Sequence, residues 1–124
     1  MEYRQRRHVD SKDKPTRWAS DRQEKSIAKA TGGKQTKNSG ATCFSKGDVT
    51  TDKWLLEAKT CMKDQKTFTV HKEWFEKNKK ESLFMHKPYS AVVFNFGPND
   101  DTNYYAVDEQ TFLLMKEALE NMEE

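Results

Sequence analysis

Two carboxylates and a lysine in the segment KGDVTTDKWLLEAKT, residues 46–60, have residue types and a spacing that could bind a metal ion. The segment has the pattern of two strands joined by a turn at 50–52, and such a hairpin brings Asp48 close to Glu57. Two carboxylates at that separation repel each other unless a proton or a cation lies between them. Mg²⁺ suits the position, because it prefers carboxylates with water and leaves sites for phosphate. Lys59 could then orient or deprotonate a water, or stabilise developing charge.

The same three residues also have a plain structural interpretation. Side chains alternate along a strand, so Glu57 and Lys59 point to one face, while the other face receives Trp54, Leu56 and Ala58. A glutamate two residues from a lysine on a strand edge is often a surface ion pair worth less than about 1 kcal/mol. From these residues alone, the metal site and the ion pair both remain open.

Residues near the hairpin favour a site that binds phosphate. Gly47 lets the backbone of a partner approach closely next to Asp48. Glu24, on a predicted helix upstream, could supply a third carboxylate. The polar and basic residues before and at the start of the hairpin suit contacts to a DNA backbone, and they are Lys34, Lys37, Asn38, Ser39 and Lys46.

The elements around the hairpin predict an α/β, or α+β, domain with a mixed central sheet flanked by helices. Residues 1–17 are polar and basic and are expected to form a flexible arm, with one domain over 18–124. The first helix is predicted to begin at a cap at Ser20 or Asp21 and to end at Gly32 and Gly33. A loop over 34–41 and strands over 42–49 and 53–60 follow it.

The second half of the chain is predicted to contain two helices and two strands. A helix capped by Thr69 is predicted over 70–86, with EKNKKES as its solvated side. The apolar run YSAVVFNF, 89–96, is typical of a buried strand, and YYAVD is expected to pair with it. Asp108 is predicted to cap a last helix, whose apolar stripe has the spacing of a core-facing surface and consists of Phe112, Met115, Leu119 and Met122.

Charge is unevenly distributed along the chain. Residues 1–40 contain 11 Lys/Arg and 5 Asp/Glu, whereas residues 41–124 contain 11 Lys/Arg and 15 Asp/Glu. A basic front segment indicates a nucleic acid or another polyanion as partner, or else a solvated basic tail. The sequence has no apolar run of membrane-spanning length and no secretory pattern at its start, so we expect a cytoplasmic protein without a membrane partner. Cys43 and Cys61 are expected to be free thiols, and no zinc site is predicted.

Four segments in order resemble the PD-(D/E)XK nuclease superfamily, and within it the small archaeal and phage-type Holliday junction resolvases. They are Glu24 in a first helix, NSGA at 38–41, KGDV at 46–49 and WLLEAKT at 54–60. The chain departs from the motif at Gly47, where the family often has proline. The resemblance implies a restriction-endonuclease-like fold, with Asp48, Glu57, the Ala58 carbonyl and Glu24 around the metal. It further implies that Lys59 is the catalytic lysine and that Ser39 lies near the cut strand.

The resemblance implies an Mg²⁺-dependent endonuclease that cuts four-way DNA junctions as a homodimer, with Mn²⁺ able to replace Mg²⁺. Two alternatives stay open: a restriction-like or repair nuclease of the same fold, and a basic nucleic-acid-binding module without catalysis. A two-fold dimer needs a self-complementary surface. The hairpin 96–104 and the last helix are the favoured candidates, because FLLMKEALENM has more apolar residues than one buried stripe requires. Leu113 and Leu114 could instead widen a core-facing stripe.

Overall fold

The computed structural model of the protein describes residues 18–36 and 48–123. In these ranges the chain forms three helices and five strands, so the predicted mixed α/β class is confirmed. The elements in chain order are α1 over residues 18–31, β1 (Lys34–Gln35), β2 (Asp48–Thr50), β3 (Trp54–Lys59), α2 (Lys72–Phe84), β4 (Tyr89–Phe94), β5 (Tyr104–Ala106) and α3 (Glu109–Met122). The predicted arm, residues 1–17, lies outside the described residues.

The strands form one sheet in the order β1-β2-β3-β4-β5, in which β3 and β4 run parallel and the other neighbours antiparallel. The predicted hairpin is present as β2 and β3. Its turn lies at residues 51–53, one residue later than predicted, because Thr50 still pairs with Leu55. The predicted loop at 34–41 is wrong at its start, since Lys34 pairs with Thr50 in the sheet. Backbone hydrogen bonds hold this short edge strand, and they require no apolar side chains.

The two faces of the sheet differ in chemistry, as strand alternation predicts. On one face α1 contributes Ile27 to a core cluster that contains Val49, Leu56 and Val93, with Trp54 and Ala58 packed against it. The buried Gln23 of α1 donates a 3.4 Å hydrogen bond to the Val93 carbonyl. The opposite face receives the alternate residues of β3, including Glu57 and Lys59, and it faces α2. The sheet therefore separates an apolar face from one that carries charge.

The predicted start of α1 is wrong, because residues 18–20 are already helical. The Arg22 guanidinium lies 5.1 Å from the centre of the Trp18 ring, a cation–π contact that favours this earlier turn. The predicted end is confirmed. Gly32 follows the last helical residue with a φ of 74°, a conformation that glycine adopts readily.

The predicted cap of α2 is also wrong: the helix begins at Lys72 with His71 as its N-cap, not at Thr69. The Phe68 ring stacks on Phe94 of β4 with their centroids 4.6 Å apart, which holds this part of the chain against the sheet. The helix ends at Phe84, earlier than the predicted residue 86. The side predicted to be solvated is wrong as well, since EKNKKES contains the buried residues of α2: Asn78, Glu81 and Ser82.

α3 begins where the sequence predicts, because the Asp108 side chain accepts a 2.9 Å hydrogen bond from the Thr111 backbone N–H. No side chain of the helix is buried, however, so the expectation of a core-facing stripe is wrong. Elsewhere, Cys61 is a free thiol, as predicted, and it is buried, whereas Cys43 lies outside the described residues. In the ranges described, no helix has both the length and the hydrophobicity needed to cross a lipid bilayer.

Candidate metal centre

Three carboxylates converge between the sheet and α2. Asp48 of β2 and Glu57 of β3 are direct partners across the antiparallel hairpin. Glu81 of α2 completes the group, and one oxygen from each of the three residues lies within 4.8 Å of the others. All three residues are buried, and Asp48 exposes only 1% of its surface. The hairpin thus brings together the two acids that the sequence singles out, and the packing of α2 adds a third.

Glu81 is the site residue that the sequence reasoning missed. It lies in a stretch with no apolar residue to mark the buried side of the helix. A neighbouring side chain anchors this side of the helix to the sheet instead. The Asn78 side-chain amide donates a 3.1 Å hydrogen bond to the Ala91 carbonyl of β4. Trp74, Asn78 and Glu81 recur at 4 and 3 residues, so a helical stripe of polar and aromatic residues was the available signal.

The carboxylate of Asp48 lacks a hydrogen-bond partner within the part of the chain that the structure describes. Neither of its oxygens accepts a hydrogen bond there, and the same is true of Oε2 of Glu81. Burial, followed by the charges of Glu57, Glu81 and Glu24, raises the pKa of Asp48 to about 8, and the charge of Lys77 opposes this rise. Burial, followed by the charge of Glu57, also raises the pKa of Glu81. A buried carboxylate without partners is costly, so this site requires a proton or a cation.

The donor set fits a hard divalent cation. Carboxylate oxygens on two strands and a helix are ligands that Mg²⁺ prefers, and oxygens without hydrogen-bond partners are free to coordinate. A cation among them offsets the mutual repulsion that raises the pKa of Asp48. The buried cluster could therefore hold a metal ion, and its ligands would be Asp48, Glu57 and Glu81.

Lys59 lies at the edge of the carboxylate cluster and keeps part of its side chain exposed. Its Nζ is 2.6 Å from Oε2 of Glu57 and lies 4.6 Å from the centre of the Trp74 ring. The ion pair and the cation–π contact fix the ammonium group beside the carboxylates. The half-buried Trp74 therefore helps to position the Lys59 ammonium group. The ammonium group can therefore donate hydrogen bonds to an anionic ligand in the same place.

The other residues predicted for the site lie outside the group of three carboxylates. Glu24 does not belong to the converging triad: the Gln35 side chain donates a 3.2 Å hydrogen bond to it, and burial raises its pKa. It is close enough for its charge to act on Asp48. Ala58 lies in β3 against the core, and its carbonyl as a ligand stays a prediction. Lys34 is exposed in β1, whereas the other predicted DNA contacts lie outside the described residues: Lys37, Asn38, Ser39 and Lys46.

Comparison with protein-family models, with curated proteins and with solved structures finds no match to this chain.

Proposed function

We propose that this chain is a metal-dependent DNA endonuclease that hydrolyses phosphodiester bonds with Mg²⁺, and that Mn²⁺ can substitute. The observation that carries the proposal is the buried Asp48 carboxylate, with no hydrogen-bond partner among the described residues and with two acids and a lysine next to it. A surface ion pair would not require such burial. A plain Glu57–Lys59 ion pair would not explain why Asp48 and Glu81 are buried beside Glu57.

The proposed hydrolysis depends on positive charge placed next to the phosphate. A phosphodiester gains negative charge in the transition state of hydrolysis, and bound Mg²⁺ supplies Lewis-acid stabilisation of that charge. Asp48, Glu57 and Glu81 hold the cation. Lys59 donates hydrogen bonds to a phosphate oxygen or orients the attacking water, and its contacts with Glu57 and Trp74 reduce the number of orientations it can adopt.

DNA is the proposed substrate because the acidic centre lies in a chain whose first 40 residues carry 11 basic side chains and 5 acidic ones. The finer proposal, a preference for four-way junctions, rests on the resemblance to junction resolvases. A restriction-like or repair nuclease would use the same three carboxylates and the same lysine. A binding module without catalysis would not need the buried triad.

Cleavage assays distinguish these functions. Labelled four-way junction, linear duplex and single strand are each incubated with the protein in Mg²⁺ and in EDTA. We expect cleavage in Mg²⁺ only, and faster cleavage of the junction than of the duplex. Equal rates on the two would favour the restriction-like or repair alternative. Binding without cleavage of any substrate in Mg²⁺ or Mn²⁺ would refute the nuclease proposal.

Variants of Lys59 test its role. Lys59→Ala should reduce cleavage by about 100-fold or more while leaving DNA affinity and metal affinity close to those of the wild type. Lys63→Ala is the matched control, because Lys63 is an exposed lysine four residues along the chain. Equal cleavage by the two variants would show that Lys59 has no part in the chemistry.

A further inference from the structure

Asn78 of α2 has a buried oxygen without a hydrogen-bond partner. Four buried side-chain oxygens are in this state among the described residues: both carboxylate oxygens of Asp48, Oε2 of Glu81 and Oδ1 of Asn78. Asp48 and Glu81 belong to the carboxylate cluster. Asn78 carries no charge, is only 1% exposed and lies on the same helix as Glu81. Because an unpaired buried acceptor is costly, Asn78 needs a partner just as the carboxylates do.

The amide group of Asn78 has a defined orientation. Its Nδ2 donates the 3.1 Å hydrogen bond to the Ala91 carbonyl of β4. A carbonyl oxygen can only accept hydrogen bonds, so a flipped amide would set two acceptors against each other. Oδ1 is therefore the end of the amide that does not contact Ala91. Its partner must be a hydrogen-bond donor or a cation that the described residues do not supply.

Asn78 lies between two residues of the candidate site along one side of α2. Trp74, four residues earlier, contacts the Lys59 ammonium group, and Glu81, three residues later, belongs to the cluster. Residues three and four apart on a helix share a side, with about 5–6 Å between their Cβ atoms. The hydrogen bond to Ala91 shows that this side faces the sheet. Asn78 is thus in the layer between α2 and the sheet that contains the carboxylates.

We infer that Asn78 is a fourth ligand of the cation and that its Oδ1 coordinates the ion beside the three carboxylates. This inference rests on the metal centre of the proposed function. Carbonyl oxygens, like carboxylates, suit Mg²⁺ and Mn²⁺. A neutral oxygen adds a ligand without adding a fourth negative charge to groups that already repel one another. Four protein ligands would leave two positions of an octahedral ion for water and phosphate oxygens.

A matched residue on the other face of the sheet separates coordination from packing. Gln23 of α1 is also a buried amide, and its Nε2 also donates to a carbonyl of β4, that of Val93. Its oxygen, in contrast, accepts a 2.9 Å hydrogen bond from the Thr60 hydroxyl. Gln23 therefore shares the structural role of Asn78, but its oxygen is paired and faces away from the carboxylates.

Calorimetric titration with Mg²⁺ tests the inference. Asn78→Leu keeps the branched shape of the side chain and removes its oxygen, so it should weaken Mg²⁺ binding at least about 10-fold. Gln23→Leu should leave the Mg²⁺ affinity unchanged, although it also loses a hydrogen bond to β4. Circular dichroism checks that both variants are folded. Equal affinities of the wild type and Asn78→Leu, or equal losses in the two variants, would overturn the inference. A wild type that binds no Mg²⁺ would refute the metal centre itself.

A double-mutant cycle tests whether Asn78 acts directly or only by holding Glu81 in place. Asn78→Leu combined with Glu81→Gln should bind Mg²⁺ more weakly than Glu81→Gln alone, because each change removes a separate ligand. No further loss in the double variant would mean that Asn78 acts only through Glu81, and the inference would be wrong.

Asn78→Asp decides the question even if Asn78→Leu does not fold. This variant keeps a side-chain oxygen but loses the donor to the Ala91 carbonyl. It should bind Mg²⁺ more tightly than the wild type, because a carboxylate replaces a neutral ligand. A purely structural Asn78 would lose affinity together with the Ala91 hydrogen bond, so weaker binding by Asn78→Asp would exclude coordination. All of these measurements follow metal binding, so they do not depend on which DNA the protein cleaves.

Discussion

Neutralising Asp48 should stabilise the metal-free protein at neutral and alkaline pH. Asp48 is buried, neither oxygen has a hydrogen-bond partner among the described residues, and burial and neighbouring charges raise its pKa to about 8. Asp48→Asn keeps the shape of the side chain and removes the charge. The new amide can donate hydrogen bonds to Glu57 or Glu81, whose oxygens lie within 4.8 Å. A substitution at the centre of the site should therefore increase the free energy of unfolding.

The size and sign of this change in the free energy of unfolding follow from proton linkage. The pKa of Asp48 rises from 3.8, the value of a solvated aspartate, to about 8 in the folded protein, so the folded state holds a proton that the unfolded chain releases. This stabilising contribution is complete below about pH 4 and is lost as the pH rises toward 8. At about 1.4 kcal/mol per tenfold change in acidity, the loss between pH 5 and pH 8 is about 4 kcal/mol. The raised pKa values of Glu24 and Glu81 act in the same direction.

The assay is thermal or urea unfolding in EDTA at pH 5 and pH 8. We expect the wild type to lose about 4 kcal/mol between these values, and Asp48→Asn to lose only the smaller part that Glu24 and Glu81 contribute. At pH 8 the variant should melt roughly 15 °C higher than the wild type. Mg²⁺ at 100 times its Kd should narrow this difference, because it stabilises only the wild type, by about 2.7 kcal/mol. Asp52→Asn, in the exposed turn of the same hairpin, is the control and should follow the wild type.

The reasoning fails if Asp48→Asn and the wild type have parallel pH profiles in EDTA. That result would mean that Asp48 is ionised in the metal-free fold, with its charge compensated by partners outside the described residues. A variant that still gains stability from Mg²⁺ would instead remove Asp48 from the ligand set.

Three further predictions address the third ligand, the backbone and the arm. Glu81→Gln should weaken Mg²⁺ binding, measured by calorimetry, at least about 10-fold, whereas Glu76→Gln on the exposed side of α2 should not change it; equal affinities would exclude Glu81 as a ligand. Gly97→Ala should destabilise the fold by about 3 kcal/mol, because its φ is 135° and an added Cβ would collide with the backbone of Asp64. Gly32→Ala should cost only about 1 kcal/mol in the same urea titration, since φ is 74° and the space is open; similar losses would contradict the steric argument. Deleting residues 1–17 should weaken binding to duplex DNA and flatten its salt dependence, and an unchanged salt slope would show that these residues do not contact phosphate.

Local signals in the sequence were sufficient for the hairpin and for two of the three acids. Alternation along a strand depends only on the backbone pleat, so the separation of Leu56 from Glu57 and Lys59 could be predicted from the order of residues. A short turn then fixes which residues lie opposite each other, and Asp48 meets Glu57. The end of α1 and the start of α3 followed from Gly32 and Asp108, because caps act over one turn of helix.

The tertiary structure decided what lies against those elements. Glu81 enters the site because α2 turns a polar side toward the sheet, anchored by Asn78, and no apolar period marks that side. The stripe of α3 has the spacing of a core-facing helix, yet it is exposed, because spacing states which residues share a side and not what covers them. The sequence by itself determined the hairpin, the two acids paired across it, and the sheet face that carries Lys59. Only the packing of distant segments decided the third carboxylate, the burial that raises the pKa of Asp48, and the apolar surface left open beside α3.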